Sequence, residues 1–206
     1  MEIIIMHEKD QLMENLLYMK QIINESRNIV VRRGIEFIIW GVIIVIGLVY
    51  TYIDILFKGK FYNLFAWIIL VAGGWGYSIW CWYKNKDRQK AYTFSGRLMG
   101  MVWVSSGITM TILGFIGPLA KAYSSVFISP IIATVLGTAF LVSSLIYNNK
   151  LMMKIAPLWW FGAVYMFFFP NKESLLIMAL MMLFLQVLPG VILQKKYKTE
   201  VEVNAQ

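Results

Sequence analysis

Six stretches of this chain contain no Asp, Glu, Lys, Arg or His: Phe37 to Ile53, Phe61 to Tyr83, Leu98 to Ala120, Ala122 to Asn149, Ile155 to Asn171 and Ser174 to Gln194. They run for 17, 23, 23, 28, 17 and 21 residues. A helix that crosses the hydrocarbon of a bilayer needs about 20 mainly apolar residues, with a range of about 17–25. Backbone groups in hydrocarbon must find their partners within the segment, and no stretch shows strand-like alternation, so each reads as a helix. The competing reading is a soluble domain with buried helices. It fails on composition: 59% of the residues are hydrophobic and only 15% charged, where soluble domains carry roughly 25% charged and about 45–50% apolar. A chain of 206 residues has too much wet surface to hide that excess in one core. A mean hydropathy of +0.66 excludes disorder as well.

The loop charges orient the spans. Lys and Arg alternate in number along the chain, fifteen falling on one side and four (Lys58, Lys60, Lys121, Lys172) on the other. Basic residues stay in the cytoplasm, so both termini are expected there. A miscounted span would scramble that alternation. The fold class expected is therefore all-α and polytopic, with six transmembrane helices in residues 35–194 (about 35–57, 61–83, 97–117, 126–147, 152–170 and 174–194). A cytoplasmic amphipathic helix precedes them in residues 1–34, and a basic cytoplasmic tail, residues 195–206, follows. No secretory signal peptide is apparent, because Ile3 to Met6 is too short for its apolar region and no basic residue precedes it. The Ile-, Lys-, Asn- and Met-rich composition and compact loops are bacterial in character, and the location expected is the cytoplasmic membrane.

The net charge of +8 sits between apolar runs, which points to anionic lipid headgroups rather than nucleic acid. Between Glu8 and Arg33 no Pro or Gly occurs, and Leu12, Leu16, Met19, Ile23 and Val30 recur at helical spacing. Such a helix lies on headgroups, or pairs with a cytoplasmic protein or a second copy through residues 8–33.

Within hydrocarbon, helices associate through close backbone approach and interhelical hydrogen bonds. Small residues mark spans two, three and four as the expected packed centre: Gly73 and Gly76 in the second, Gly100, Gly107 and Gly114 in the third, Gly137 in the fourth. The Ile- and Val-rich first span and the Leu- and Met-rich sixth are expected to face lipid. A basic residue precedes a tryptophan by five to seven positions at the start of each odd span (Arg33 and Trp40, Arg97 and Trp103, Lys154 and Trp159). Related helical hairpins would give this pattern, but an interfacial anchor belt accounts for it more simply.

Chemistry is sparse. No ionisable residue lies mid-span, so a proton-coupled pump is disfavoured. One histidine (His7) and one cysteine (Cys81) allow neither a two-histidine metalloprotease helix nor a cysteine-rich metal site. No catalytic residue, metal ligand or cofactor is expected, and the chain reads as a non-enzyme. Ser105, Ser106, Thr109 and Gln186 are the candidates for a weakly polar cavity, although hydroxyls in such helices more often join one helix to another. The five prolines lie nearer span ends than centres, so a discontinuous mid-membrane helix is supported only by Gly73, Gly74 and Gly76. The reading favoured is a sensor, regulator or subunit of a membrane complex acting through the cytoplasmic helix and basic loop. The alternative is a small transporter, or a transporter's binding subunit, for a neutral or amphipathic solute.

Overall fold

A computed structural model describes residues 34–57, 62–84 and 94–203, together with Gln11 and Met13. The amino-terminal helix expected over residues 8–33, Arg33 and most of the basic loop (residues 85–93) lie outside the described residues. Helix makes up 92% of the described residues, with no strand among them. In order come α1 (Gly34–Leu56), α2 (Tyr62–Lys84), α3 (Phe94–Thr111), α4 (Ile128–Tyr147), α5 (Lys150–Phe168), α6 (Glu173–Met182) and α7 (Leu188–Val203). Five-residue π-helical segments extend α3 (Ile112–Ile116) and join α6 to α7 (Leu183–Val187). Six helices are thereby long and apolar enough to cross a membrane: Gly34–Leu56, Asn63–Lys84, Gly96–Leu119, Ser125–Ile146, Lys150–Phe168 and Glu173–Lys195.

Local chemistry sets the turns. Asn148 adopts the left-handed conformation (φ 48°) and closes α4, and the Asn149 side chain then accepts from the backbone of Leu151 and Met152 to start α5. Asparagine tolerates the first role and favours the second. The resulting two-residue connection makes α4 and α5 the most extensively packed helix pair.

Both π-segments precede a proline by the same interval. The Gly117 amide bonds to the Ile112 carbonyl ahead of Pro118, and the Leu188 amide bonds to the Leu183 carbonyl ahead of Pro189. A proline ring clashes with the carbonyl four residues earlier. Widening the turn by one residue relieves that clash without breaking the helix. Pro118 still has no N–H to give the Leu113 carbonyl, and the Tyr123 hydroxyl donates to it instead. Tyr123 lies between two spans, and burial pushes its phenol above the ordinary value.

The packed centre differs from the expected one. Only 6% of the second span and 6% of the third are buried, against 22% of the first and 33–39% of the fourth, fifth and sixth. Backbone meets backbone between the first and sixth spans, where a Cβ on Gly34 would stand 2.7 Å from the Gly190 carbonyl oxygen. One on Gly41 would stand 2.5 Å from Val187. Gly73, Gly76 and Gly114 face open space, with nothing within 4 Å of a Cβ, so they are not helix-packing glycines. Leu- and Ile-rich composition misleads here because the close approach needs only two or three glycines amid large neighbours. The core gathers α1 with α4 to α7, and Met99 and Trp103 of α3, around Phe37, Trp103, Phe140 and Trp159, whose rings lie 4.8 Å (Phe37–Trp103), 5.5 Å (Trp103–Phe140) and 6.1 Å (Phe140–Trp159) apart.

Candidate functional site

The loosely packed second and third spans leave a cavity of about 1430 Å³ against α1 and the sixth span. Its lining runs along α1 from Glu36 to Ile55, or about 28 Å at 1.5 Å per residue, which approaches the thickness of the hydrocarbon layer. Arg97 lies at the Glu36 end, and Asn63, Asn171 and Lys172 at the other. The wall of the third span includes its stripe of small residues, Gly96, Gly100, Val104, Gly107, Thr111 and Gly114, beside larger ones such as Met99, Trp103 and Met110. Gly114, expected to draw helices together, instead leaves space.

Five of the eight tryptophans line this cavity: Trp40, Trp67, Trp75, Trp82 and Trp103. Four indole N–H groups cross to a hydroxyl on a neighbouring helix. Trp40 donates to Ser78 (3.0 Å), Trp67 to Thr51 (2.9 Å), Trp75 to Thr111 (3.4 Å) and Trp103 to Ser143 (3.1 Å). Each acceptor lies four residues after a glycine or alanine, a spacing that puts the two on one helix face, one turn apart. The small residue admits the ring: a Cβ on Gly74, Gly47 or Gly107 would stand 2.7, 2.8 or 3.0 Å from Trp40, Trp67 or Trp75 respectively. The hydroxyl one turn on then takes the N–H. Thr51, Thr111 and Ser143 also donate back to the carbonyl of that same small residue. Thr51 shares its single proton between Gly47 and Asn63.

The anchor tryptophans therefore face inward. Trp40 and Trp103 bridge helices and Trp159 is completely buried, so none of the three forms a lipid-facing belt. Exposed rings at a helix end include Trp80, Trp82 and Tyr83, and the Lys84 ammonium lies 4.9 Å from the centre of Trp80, a cation–π contact. Arg97 and Lys154 are exposed near the starts of their helices. Gly137 takes the Trp160 ring, another socket.

The four polar residues singled out from the sequence are not brought together. Ser105 and Gln186 line the cavity, but Ser106 and Thr109 are not on its wall. Ser105 returns its proton to the Val102 carbonyl of its own helix. Gln186 belongs to the second π-segment and is 4% exposed. Its Nε2 faces the Phe37 carbonyl at 3.5 Å, while its Oε1 is buried without a hydrogen-bond partner. Sequence reasoning passed over Trp67, Trp75, Thr51 and Ser143. The signal for them was the recurring Gly-x-x-x-Ser/Thr spacing at Gly47, Gly74 and Gly107.

No group of three His, Cys, Asp or Glu side chains able to hold a metal ion occurs among the described residues. No protein-family model, curated protein or solved structure matches the chain.

Proposed function

We propose that this chain is a multi-pass protein of the bacterial cytoplasmic membrane, with both termini in the cytoplasm, that binds an amphipathic solute without transforming it. It would act as a small transporter or as a transporter's binding subunit. The cavity is the observation that carries this reading. Its 1430 Å³ exceeds the roughly 300–1,000 Å³ of pockets that enclose drug-sized ligands. Four of its five indole N–H groups are spent on hydroxyls within the protein, which leaves aromatic faces and a mainly apolar wall. A long hydrocarbon tail suits both the length and the chemistry. Both π-segments contribute wall residues, Gly114 and Phe115 from one and Gln186 from the other, and such segments recur at functional sites. The alternative action through the cytoplasmic helix and basic loop rests on residues outside the described ones.

The test uses the wall's own fluorophores. Purified protein in detergent is titrated with a long-chain amphiphile brominated along its tail, which quenches tryptophan on contact. Saturable quenching, weakened at least about tenfold when Gly114→Leu fills open space, supports binding; a tenfold loss corresponds to about 1.4 kcal/mol. Quenching that rises without saturation, equally in both proteins, refutes it.

A further inference from the structure

The cavity has a closed back and an open front. Its back wall, on α1, α4 and the sixth span, is buried: Leu48, Leu136, Met178 and Met182 are each 5% exposed or less. On α2 and the third span, wall residues are also exposed, Ile79 at 61%, Met101 at 69% and Val104 at 50%. Side chains so exposed mark a rim. The two front helices are held separately: α2 packs mainly along α1 and α3 along α4, with no extensive contact between α2 and α3. Trp75 spans the gap between them, its N–H reaching the Thr111 hydroxyl and its ring lying over Gly107. At 3.4 Å this is the longest of the four indole bonds, outside the ordinary range of about 2.7–3.2 Å. The seat is also the loosest, 3.0 Å from ring to added Cβ, against 2.7 and 2.8 Å at Gly74 and Gly47.

We infer that the cavity loads sideways from the hydrocarbon, through the gap between α2 and α3, that its occupant is a lipid already resident in the bilayer, and that Trp75 is the latch on this portal. This rests on the binding role proposed above and adds where the ligand comes from and which residue it must pass. The rim side chains Ile79, Met101 and Val104 are apolar, which suits passage of a hydrocarbon chain and not of a hydrated solute. Depth separates the routes. At 1.5 Å per residue, Trp75 stands about 20 Å from the Tyr62 end of α2 and about 14 Å from the Lys84 end. A solute entering past Glu36 and Arg97, or past Asn63 and Lys172, moves along the lumen and leaves that ring in place. A chain entering through the gap has to displace it.

The experiment reads rates as well as affinity. Full-length protein in micelles is mixed by stopped flow with a monoacylglycerol brominated at mid-chain, and tryptophan quenching follows loading; dilution into empty micelles follows release. Thr111→Val removes the acceptor of the latch, and Trp75→Leu removes the ring itself. Thr111→Val is expected to speed both loading and release about threefold, the scale of one interhelical bond in a membrane. Trp75→Leu is expected to speed both about tenfold, because the ring's packing goes with the bond. A latch acts in both directions, so the ratio of the two rates should move by less than about threefold. In the Trp75→Leu background, Thr111→Val should add nothing, since no indole N–H remains to be released; a mere change of cavity volume would add. Saturable quenching with equal rates in wild type and Trp75→Leu overturns the portal and leaves the binding role intact, and so does an effect of Thr111→Val that persists without Trp75. Saturable quenching in none of the proteins overturns both.

Discussion

Three glycines within four positions of α2 should respond to the same substitution in opposite directions. Gly73 and Gly76 have nothing within 4 Å of an added Cβ, whereas one on Gly74 would stand 2.7 Å from Trp40 Cη2 and 2.8 Å from its Cζ3. Ordinary contact begins near 3.4 Å, so in Gly74→Ala the ring must retreat by roughly 0.7 Å. It has little freedom to do so. Its N–H is held by Ser78 at 3.0 Å, and it meets Trp75 edge-on at 5.9 Å. Overpacking of this kind costs about 1–3 kcal/mol, and the strained interhelical bond forfeits about 0.6–1.7 kcal/mol more. Alanine returns up to about 1 kcal/mol of helix propensity. The net expectation is a loss of about 2 kcal/mol for Gly74→Ala, against a gain of up to about 1 kcal/mol for Gly73→Ala and Gly76→Ala. Equilibrium unfolding in mixed detergent and dodecyl sulfate micelles measures all three. In a Trp40→Leu background the ring is gone, and Gly74→Ala should then behave like its neighbours. If Gly74→Ala is as stable as Gly73→Ala in the wild-type background, the ring-in-socket account of the tryptophans is wrong.

Gly190→Ala sets a Cβ 2.9 Å from the Gly34 carbonyl; because that neighbour is backbone, unfolding should show a loss of about 1–3 kcal/mol that trimming a nearby side chain does not restore. Tyr123→Phe leaves the Leu113 carbonyl without its donor and should cost about 1 kcal/mol in the same assay. Burial raises the Tyr123 phenol, so its contribution is complete below the unfolded tyrosine value near pH 10 and fades as pH rises through the higher folded value. The variant should therefore show a shallower stability decline in alkaline buffer than the wild type. Reporter fusions at the two termini should both read as cytoplasmic, and opposite readings would undo the six-span orientation.

Legibility followed the range of the physics. The six helices were readable because exclusion of charge from hydrocarbon acts residue by residue, leaving uncharged runs on the page. Packing was not readable in the same way. Trp40 and Trp103 lie about two turns inside their spans whether they anchor at headgroups or bridge to Ser78 and Ser143. The difference is the direction in which each ring turns. That depends on a small residue and a hydroxyl some 40 positions further along the chain. The small-residue stripe of α3 was ambiguous for a related reason. A glycine permits backbone contact, as at Gly34 and Gly190, admits a ring, as at Gly107, or simply leaves room, as at Gly114. Which of these occurs depends on what the neighbouring helix brings. Gln186 stood out as the amide of an otherwise apolar span, but its separation from Ser106 and Thr109 could not be read from linear order.

The prolines join fold to site. Pro118 and Pro189 lie towards the ends of their spans, where they look harmless, yet each forces one widened turn at an identical interval. One extra residue turns everything beyond it by about 100° relative to a regular helix. In the sixth span that offset decides whether Gln186 meets the Phe37 carbonyl and the cavity or points elsewhere. In the third, it brings Gly114 and Phe115 to the wall. Both spans still keep enough hydrogen bonds to cross an apolar layer, since each π-segment closes its own turn and Tyr123 serves the carbonyl that Pro118 leaves open. A continuous helix with one offset turn can thus set a carboxamide beside an apolar wall, without the broken helices that often build ion and substrate sites. That economy of polar groups favours a neutral occupant over an ion.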